Sequence, residues 1–254
     1  MRMCRIGLLL MVLMVAQSHA DIAQREHRVD SILKLMSLGE KVDLIRNNGM
    51  WSTTGCARLN IPGLKVADGP HGLHDHQTKA TAWPVSAALA ASWDRELNYQ
   101  VALASSREFR AKGIHVRLGN CLDLTRDPRY GRASEAVGED PYLVAQLGLE
   151  QVKGTQDAGL MACLKHFILN SKEVDRFDNH AVADERTLVE LWGLPFRTAI
   201  QQGNALSVMS AHSRINGEHC VSNAYVLTDI LRSLWKYEYF TMNDWSAVAR
   251  SVRW

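Results

Sequence analysis

Several features are missing from this chain of 254 residues, and each absence removes a class of function. There is no Cys-x-x-Cys pair; Cys56, Cys121, Cys163 and Cys220 are widely spaced, which argues against a zinc cluster. Charge of one sign is also missing. The whole chain has 29 basic and 27 acidic residues, and without Arg2 and Arg5 the balance is 27 to 27. No basic stripe remains to track phosphates, so nucleic acid is not an expected partner. No Gly-x-Gly-x-x-Gly follows an apolar run, which counts against a dinucleotide site. Internal repeats, low-complexity tracts and linkers are absent too.

A membrane-spanning run is not found at the N-terminus. Arg2 and Arg5 precede an uncharged stretch from Ile6 to Ala16, 11 residues (16 − 6 + 1), where roughly 20 are needed to span a bilayer. A basic start, a short apolar middle and the small residues Ser18 and Ala20 describe a secretory signal cut after Ala20. Residues 1–20 are therefore expected to be removed, and residues 21–254 to be exported to a periplasm or to the medium, with no membrane partner after cleavage. Cys4 leaves with the signal. An even number of cysteines remains, which allows disulfides, but Cys163 lies inside the apolar run Leu160–Leu164, where a buried free thiol is the commoner fate.

What is present is an alternation of short apolar strands and helical stretches in a chain that is 46% hydrophobic, enough for one sizeable core. Ser37-Leu38-Gly39-Glu40 has capping-box spacing and opens an early helix. Strands are expected over 64–68, 114–118, 161–167, 205–210 and 240–244. Asp94 opens a long helix closed by Gly113, and Asp140-Pro141 places a cap and an N1 proline before another. Leu188, Leu191, Trp192, Pro195, Phe196, Ala199 and Ile200 keep three-four spacing, although Pro195 should break or kink that run. Leu227, Ile230, Leu231, Leu234 and Trp235 mark a further helix. Strand–helix alternation with short turns predicts a parallel α/β sheet, closed as a barrel or open and doubly wound.

Polar residues collect where these strands end: Asp68, Arg126, Lys165, His166, Arg176, His212 and Asp244. Parallel α/β barrels present reactive groups at the carboxyl ends of their strands. Carboxylates among several cations suit a neutral polyhydroxylated ligand, and an aromatic such as Trp245 can cover the apolar face of a sugar ring. His71, His74, Asp75 and His76 offer metal-ligand types in one loop.

At this point the residues resemble a known family. The runs Ala67-Asp68-Gly69-Pro70-His71-Gly72, Arg126-Asp127-Pro128-Arg129-Tyr130-Gly131-Arg132, Gly138-Glu139-Asp140-Pro141, Lys165-His166-Phe167, Asp184-Glu185-Arg186, Ser207-Val208-Met209-Ser210, Ile215-Asn216-Gly217 and Asn243-Asp244-Trp245 stand in one order. From about Val29 to Val248 the chain resembles glycoside hydrolase family 3, the β-glucosidase and β-xylosidase group. The resemblance implies a (β/α)8 TIM-like barrel over residues 21–254, incomplete at its C-terminus, with the family's second domain absent. It implies retaining hydrolysis of terminal non-reducing β-D-glucosidic bonds in oligosaccharides or aryl β-glycosides, with no cofactor and no metal. Asp244 matches the nucleophile. Asp68, Arg126, Lys165, His166, Arg176, Met209 and His212 match substrate-binding positions, and Trp245 the residue that stacks beside the sugar. Lysine and arginine nearby would keep Asp244 ionised.

Retaining hydrolysis also needs a second carboxyl, about 5 Å from the first. In family 3 glucosidases it generally comes from the second domain, so this chain alone is expected to turn over glycosides feebly. The alternatives are a catalytically impaired sugar-binding fragment, a β-xylosidase, or a β-N-acetylglucosaminidase. Asp178-Asn179-His180 resembles the loop acid of the last group. However, Ile168-Leu169-Asn170-Ser171 replaces that group's Pro-Gly-His-Gly, which favours the glucosidase branch and a solvated loop. Three departures from the family stand out. Ser246 replaces the glycine after Asp-Trp, Lys236 and Tyr239 replace the two glycines of a Trp-Gly-Phe-x-Gly-Phe run, and His212 stands where a tyrosine is frequent.

Overall fold

The structure is a computed structural model that describes residues 23–75 and 78–251. The expected signal and His76 lie outside the described residues. The chain divides into two units, Met1–Leu64 and Lys65–Trp254.

In the first unit, helix α1 (23–35) is followed by α2 (Leu38–Leu44). The capping box forms as the spacing predicts: the Glu40 N–H donates to Ser37 Oγ at 3.2 Å, and the Ser37 N–H donates to Glu40 Oε2 at 2.8 Å. Arg58 then clamps the same carboxylate with two guanidinium nitrogens, at 2.8 and 2.7 Å.

The second unit is built on a parallel sheet. Its strands are β1 (Val66–Asp68), β2 (Val116–Cys121), β3 (Met161–Phe167), β5 (Ser207–Ser210) and β8 (Phe240–Asn243), in the order β1-β2-β3-β5-β8. Helices cross over between them: α3 (Ser86–Ala90) and α4 (Arg95–Ala111) after β1, α5 (Pro141–Asp157) after β2, and α6 (Gly193–Gln201) after β3. A wide helix, Tyr225–Leu234, leads to β8, and a short one, Ala247–Ser251, follows it. Parallel strands need such crossovers, and helices on the sheet face bury the strands. Every residue of β2 and β5 is buried, as is all of β3 after Met161. A strand–helix succession in sequence order is the barrel arrangement that the sequence predicts, here with five parallel strands and open edges at β1 and β8 among the described residues.

The helix caps follow the sequence. Asp94 accepts from the Leu97 N–H at 2.9 Å, and Asp140 from the Leu143 N–H at 2.6 Å with Pro141 at the first helical position. Pro195 departs from expectation. It neither breaks nor ends its helix, because the preceding turns, Thr187–Trp192, are wound wide as π-type turns that run straight into α6. The Gly193 N–H donates to Leu188 O, one residue further back than an α-helix requires, and that slack accommodates the proline ring. Pro195 and Phe196 are then buried, with Phe196 edge-on to Phe167 at 5.2 Å and Phe167 edge-on to Trp235 at 5.8 Å.

A small second sheet joins β4 (His180–Ala181) to the hairpin β6 (Arg214–Ile215) and β7 (Glu218–His219). The hairpin turns on Asn216 and Gly217, both at positive φ, the residue pair such a turn favours. Cys56, Cys121, Cys163 and Cys220 are all free and buried, so the disulfides that an even count would allow are not formed.

Candidate active site

The carboxyl ends of the five parallel strands bring Asp68, Asp123, Lys165, His166, His212 and Asp244 to one side of the sheet. Asp68 ends β1. The turn behind it is tight enough that a Cβ on Gly69 would lie 2.1 Å from the Phe109 ring, so only glycine fits. Arg117, buried in β2, holds that turn: its Nε and Nη2 donate to Gly69 O at 3.1 and 3.0 Å, and its Nη1 donates to Ser105 and Ser106 Oγ. These partners are all neutral. Burial alone therefore pulls the Arg117 guanidinium down to about 10.

Lys165, on β3, is 2% exposed and donates to Asp68 Oδ1 at 2.9 Å, with Glu135 Oε2 3.9 Å away. His166, next in the strand, enters a buried polar chain. Its N–H and its Nδ1–H both donate to Asp123 Oδ2, at 3.0 and 2.7 Å. Arg132 Nη1 donates to His166 Nε2 at 2.8 Å. A guanidinium has only hydrogens to give, so Nε2 accepts and the imidazole is neutral with its proton on Nδ1. Burial first, then Arg132 and Lys165, hold the His166 pKa well below its usual value, in agreement with that tautomer. Burial drives Asp123 the other way, up to about 7.

Arg132 also grips Glu135 with two nitrogens, both at 2.7 Å. Burial raises the Glu135 carboxyl, but Arg132 outweighs it and the group stays below its usual range. Both residues ride on the loop after β2, which is pinned at its neck by the Leu124–Gly138 bridge. A cleft of about 460 Å³ opens between this loop and the turn after β1, lined by Asp68, His71, His74, Thr81, Arg132 and Glu135.

Asp244, one residue past β8, is 8% exposed and is not part of that cleft's lining. Its Oδ1 accepts from the Trp245 N–H at 2.7 Å. Its Oδ2 lies 3.1 Å from His212 Nε2, 3.4 Å from Arg176 Nη2 and 3.8 Å from His166 Nε2. Burial raises this carboxyl, yet His212, the Trp245 N–H and Arg176 together hold it below the usual aspartate value. It is an ionised carboxylate inside the protein, kept so by donors.

The expected set thus separates. Asp68 pairs with Lys165, while Arg176 and His212 close on Asp244 with His166 Nε2 3.8 Å from the same carboxylate, and Trp245 is half-buried beside it. Met209 is buried in β5, paired with Met242 of β8. Arg126 is not brought in. It is exposed at the neck of the loop, its backbone N–H spent on Leu124 O, and Arg132 supplies the guanidinium beside His166 instead. Asp123 and Glu135 also escape a reading of strand ends. Two signals were available: an aspartate directly after the apolar stretch ending in Leu122, and a glutamate three residues after Arg132. Glu173 orients Arg176 through a 3.2 Å ion pair. Asp178 is exposed, and His180 Nε2 accepts from the Gly217 N–H at 2.7 Å within the small sheet. His71 Nε2 lies 3.1 Å from Ser134 O, and Asp75 caps Thr78. Among the described residues, the group within metal-ligand reach of one another is Cys121, Asp123 and His166, all buried, with the last two already hydrogen-bonded together.

The glycosyl hydrolase family 3 N-terminal domain matches residues 5–253. The chain belongs to glycosyl hydrolase family 3. Thermostable beta-glucosidase B of Acetivibrio thermocellus is 38% identical over 231 residues, which is 87% of this chain and 31% of that protein. Beta-glucosidase B of Emericella nidulans is 35% identical over 222 residues, 86% of this chain and 26% of that one. The solved beta-glucosidase of Kluyveromyces marxianus superposes with a TM-score of 0.84 at 34% identity, covering 86% of this chain and 27% of its own. Beta-glucosidase 3B of Thermotoga neapolitana, solved in complex with alpha-D-glucose, gives 0.82 at 33% identity, covering 86% and 34%. This family 3 chain therefore spans about a third or less of the length of the relatives it matches.

Proposed function

We propose that this family 3 barrel serves a retaining β-glucosidase that acts on terminal non-reducing β-D-glucosyl residues of oligosaccharides and aryl β-glucosides. The observation that carries the reading is the Asp244 carboxylate, buried yet held ionised by His212, Arg176 and the Trp245 N–H. A nucleophile needs that state. In the proposed reaction an Asp244 oxygen bonds to the anomeric carbon as the leaving oxygen departs with the electron pair. Water then attacks the anomeric carbon, the carboxylate departs with its electron pair, and the water's second proton passes to solvent, which returns the enzyme. Asp68, Lys165 and Arg132 present fixed donors and acceptors to the sugar hydroxyls, and His166, with both ring nitrogens already engaged, holds Arg132 in place. The half-buried Trp245 ring lies beside the nucleophile to cover an apolar sugar face.

The other carboxyls near the site are unsuited to protonating the leaving group. Asp68 is paired with Lys165, and Glu135 is clamped by Arg132 and held ionised. Asp123 is raised by burial, but it is 1% exposed behind His166 and does not reach a substrate. Acid assistance is worth about 10²–10⁴-fold. Substrates whose leaving group departs as a stable anion are therefore the ones on which Asp244 can act unaided.

The test uses such a substrate. The full chain is incubated with a fluorinated dinitrophenyl glucoside and weighed intact by mass spectrometry. The expected result is one added fluoroglucosyl mass, located by digestion on the peptide holding Asp244 and lost in Asp244→Ala. Labelling of Asp244→Ala at the wild-type rate would overturn the assignment.

A further inference from the structure

His212 follows β5 at the heart of the site, 4% exposed, with its ring edge-on to Phe177 at 4.6 Å. Only one of its ring nitrogens has a partner. Nε2 is 3.1 Å from Asp244 Oδ2, while Nδ1 is buried with no hydrogen-bond partner. An ionised carboxylate has no hydrogen to give, so Nε2 carries the proton and donates it. The side chain is thus committed to the nucleophile. Its other polar atom faces the interior, so it does not reach out towards a sugar.

We infer that His212 is a catalytic residue that acts on the nucleophile's own charge, rather than one that binds substrate. The inference rests on the reading of Asp244 as nucleophile. Oδ2 is held by His212 and by Arg176 from the loop after β3, with His166 of β3 at 3.8 Å, while Oδ1 has the Trp245 N–H. When Asp244 forms its bond to the anomeric carbon, the carboxylate loses its charge and the His212 hydrogen bond weakens. When water attacks, the C–O bond to Asp244 breaks, the electron pair returns to the carboxylate, the proton of the attacking water passes to solvent, and the hydrogen bond strengthens again. His212 therefore favours the step in which Asp244 leaves, and it helps keep the free carboxylate ionised at acid pH. Hydrogen bonds to charged groups are strong enough for this to exceed tenfold in rate.

Two variants separate this role from simple packing. His212→Gln keeps an N–H donor at about the same reach, and His212→Leu removes it. With the full chain and the fluorinated dinitrophenyl glucoside, His212→Leu is expected to lose its trapped glucosyl group about tenfold or more slowly than wild type. The acid limb of its trapping rate should also move to higher pH, because Asp244 loses a group that holds its proton affinity down. His212→Gln should restore both to within about threefold, which a packing defect would not do. Equal release rates and an unmoved acid limb in His212→Leu, with Asp244→Ala still untrapped, would overturn the role of His212 while leaving the nucleophile in place. Trapping of Asp244→Ala would overturn both. Imidazole nitrogen NMR on the unreacted chain gives a measurement that needs no turnover. The His212 Nε2–H signal should shift strongly in Asp244→Asn, and a signal that stays put would overturn the contact itself.

Discussion

At the scale of single residues, the site depends on which of two nearby arginines faces inward. Arg132 joins His166 and Glu135, whereas Arg126 is exposed. Arg132→Ala would leave the half-buried Glu135 carboxylate without its cation and His166 without its donor. It should cut kcat/KM for an activated aryl glucoside by about 100-fold or more, as expected when charge-assisted bonds are lost. Arg126→Ala should stay within about twofold, as exposed charges generally do. Steady-state kinetics of the two variants, side by side, decide it; a larger loss for Arg126→Ala would restore the sequence expectation. That expectation failed for a physical reason. The run Arg126-Asp127-Pro128-Arg129-Tyr130-Gly131-Arg132 holds three arginines, and sequence order alone does not say which one the loop turns inward. The bridge that closes the loop, Leu124 to Gly138, joins residues on either side of the whole run. By contrast, Lys165 and His166 were legible because they sit within a strand, where position along the chain fixes position at the rim.

At the scale of elements, the parts with local causes were legible. The Ser37 box, the Asp94 and Asp140 caps and the β3 strand stand where their spacing puts them. Pro195 was not legible, since nothing in the three-four spacing marks the wide turns that precede it. Two other positions show a cost that the sequence hinted at. Lys236 and Ser246 stand where the resembled family has glycine, and both adopt positive φ, 59° and 67°. Tyr239, the other replaced glycine, is not among the positive-φ residues. A left-handed conformation costs a residue with a Cβ roughly 1–2 kcal/mol. Glycine gives back about 0.5–1 of that through its looser unfolded chain. Lys236 is exposed, directly after the cap of the Tyr225–Leu234 helix, so nothing else is lost by replacing it. Lys236→Gly should therefore raise stability by about 0.5–1 kcal/mol in urea unfolding. A neutral or destabilising result would show that the lysine side chain holds something the strain argument omits.

At the scale of the whole molecule, the alternation of strands and helices was enough to give the parallel sheet, but not its closure. Periodicity describes each strand's faces and says nothing of which strands become neighbours at the edges. The division at Leu64 was equally invisible, because no change of composition marks it. The buried thiols turn that division into something measurable. Cys56 is in the first unit, and Cys121, Cys163 and Cys220 are in the second. All four are shielded, and burial pushes Cys163 and Cys220 up to about 12 and 11, so a thiol-reactive probe finds them only when the surrounding structure opens. Each unit thus carries its own built-in clock. A pulse of alkylating reagent across a denaturant series, read peptide by peptide, would record whether the two clocks start together or one runs ahead of the other.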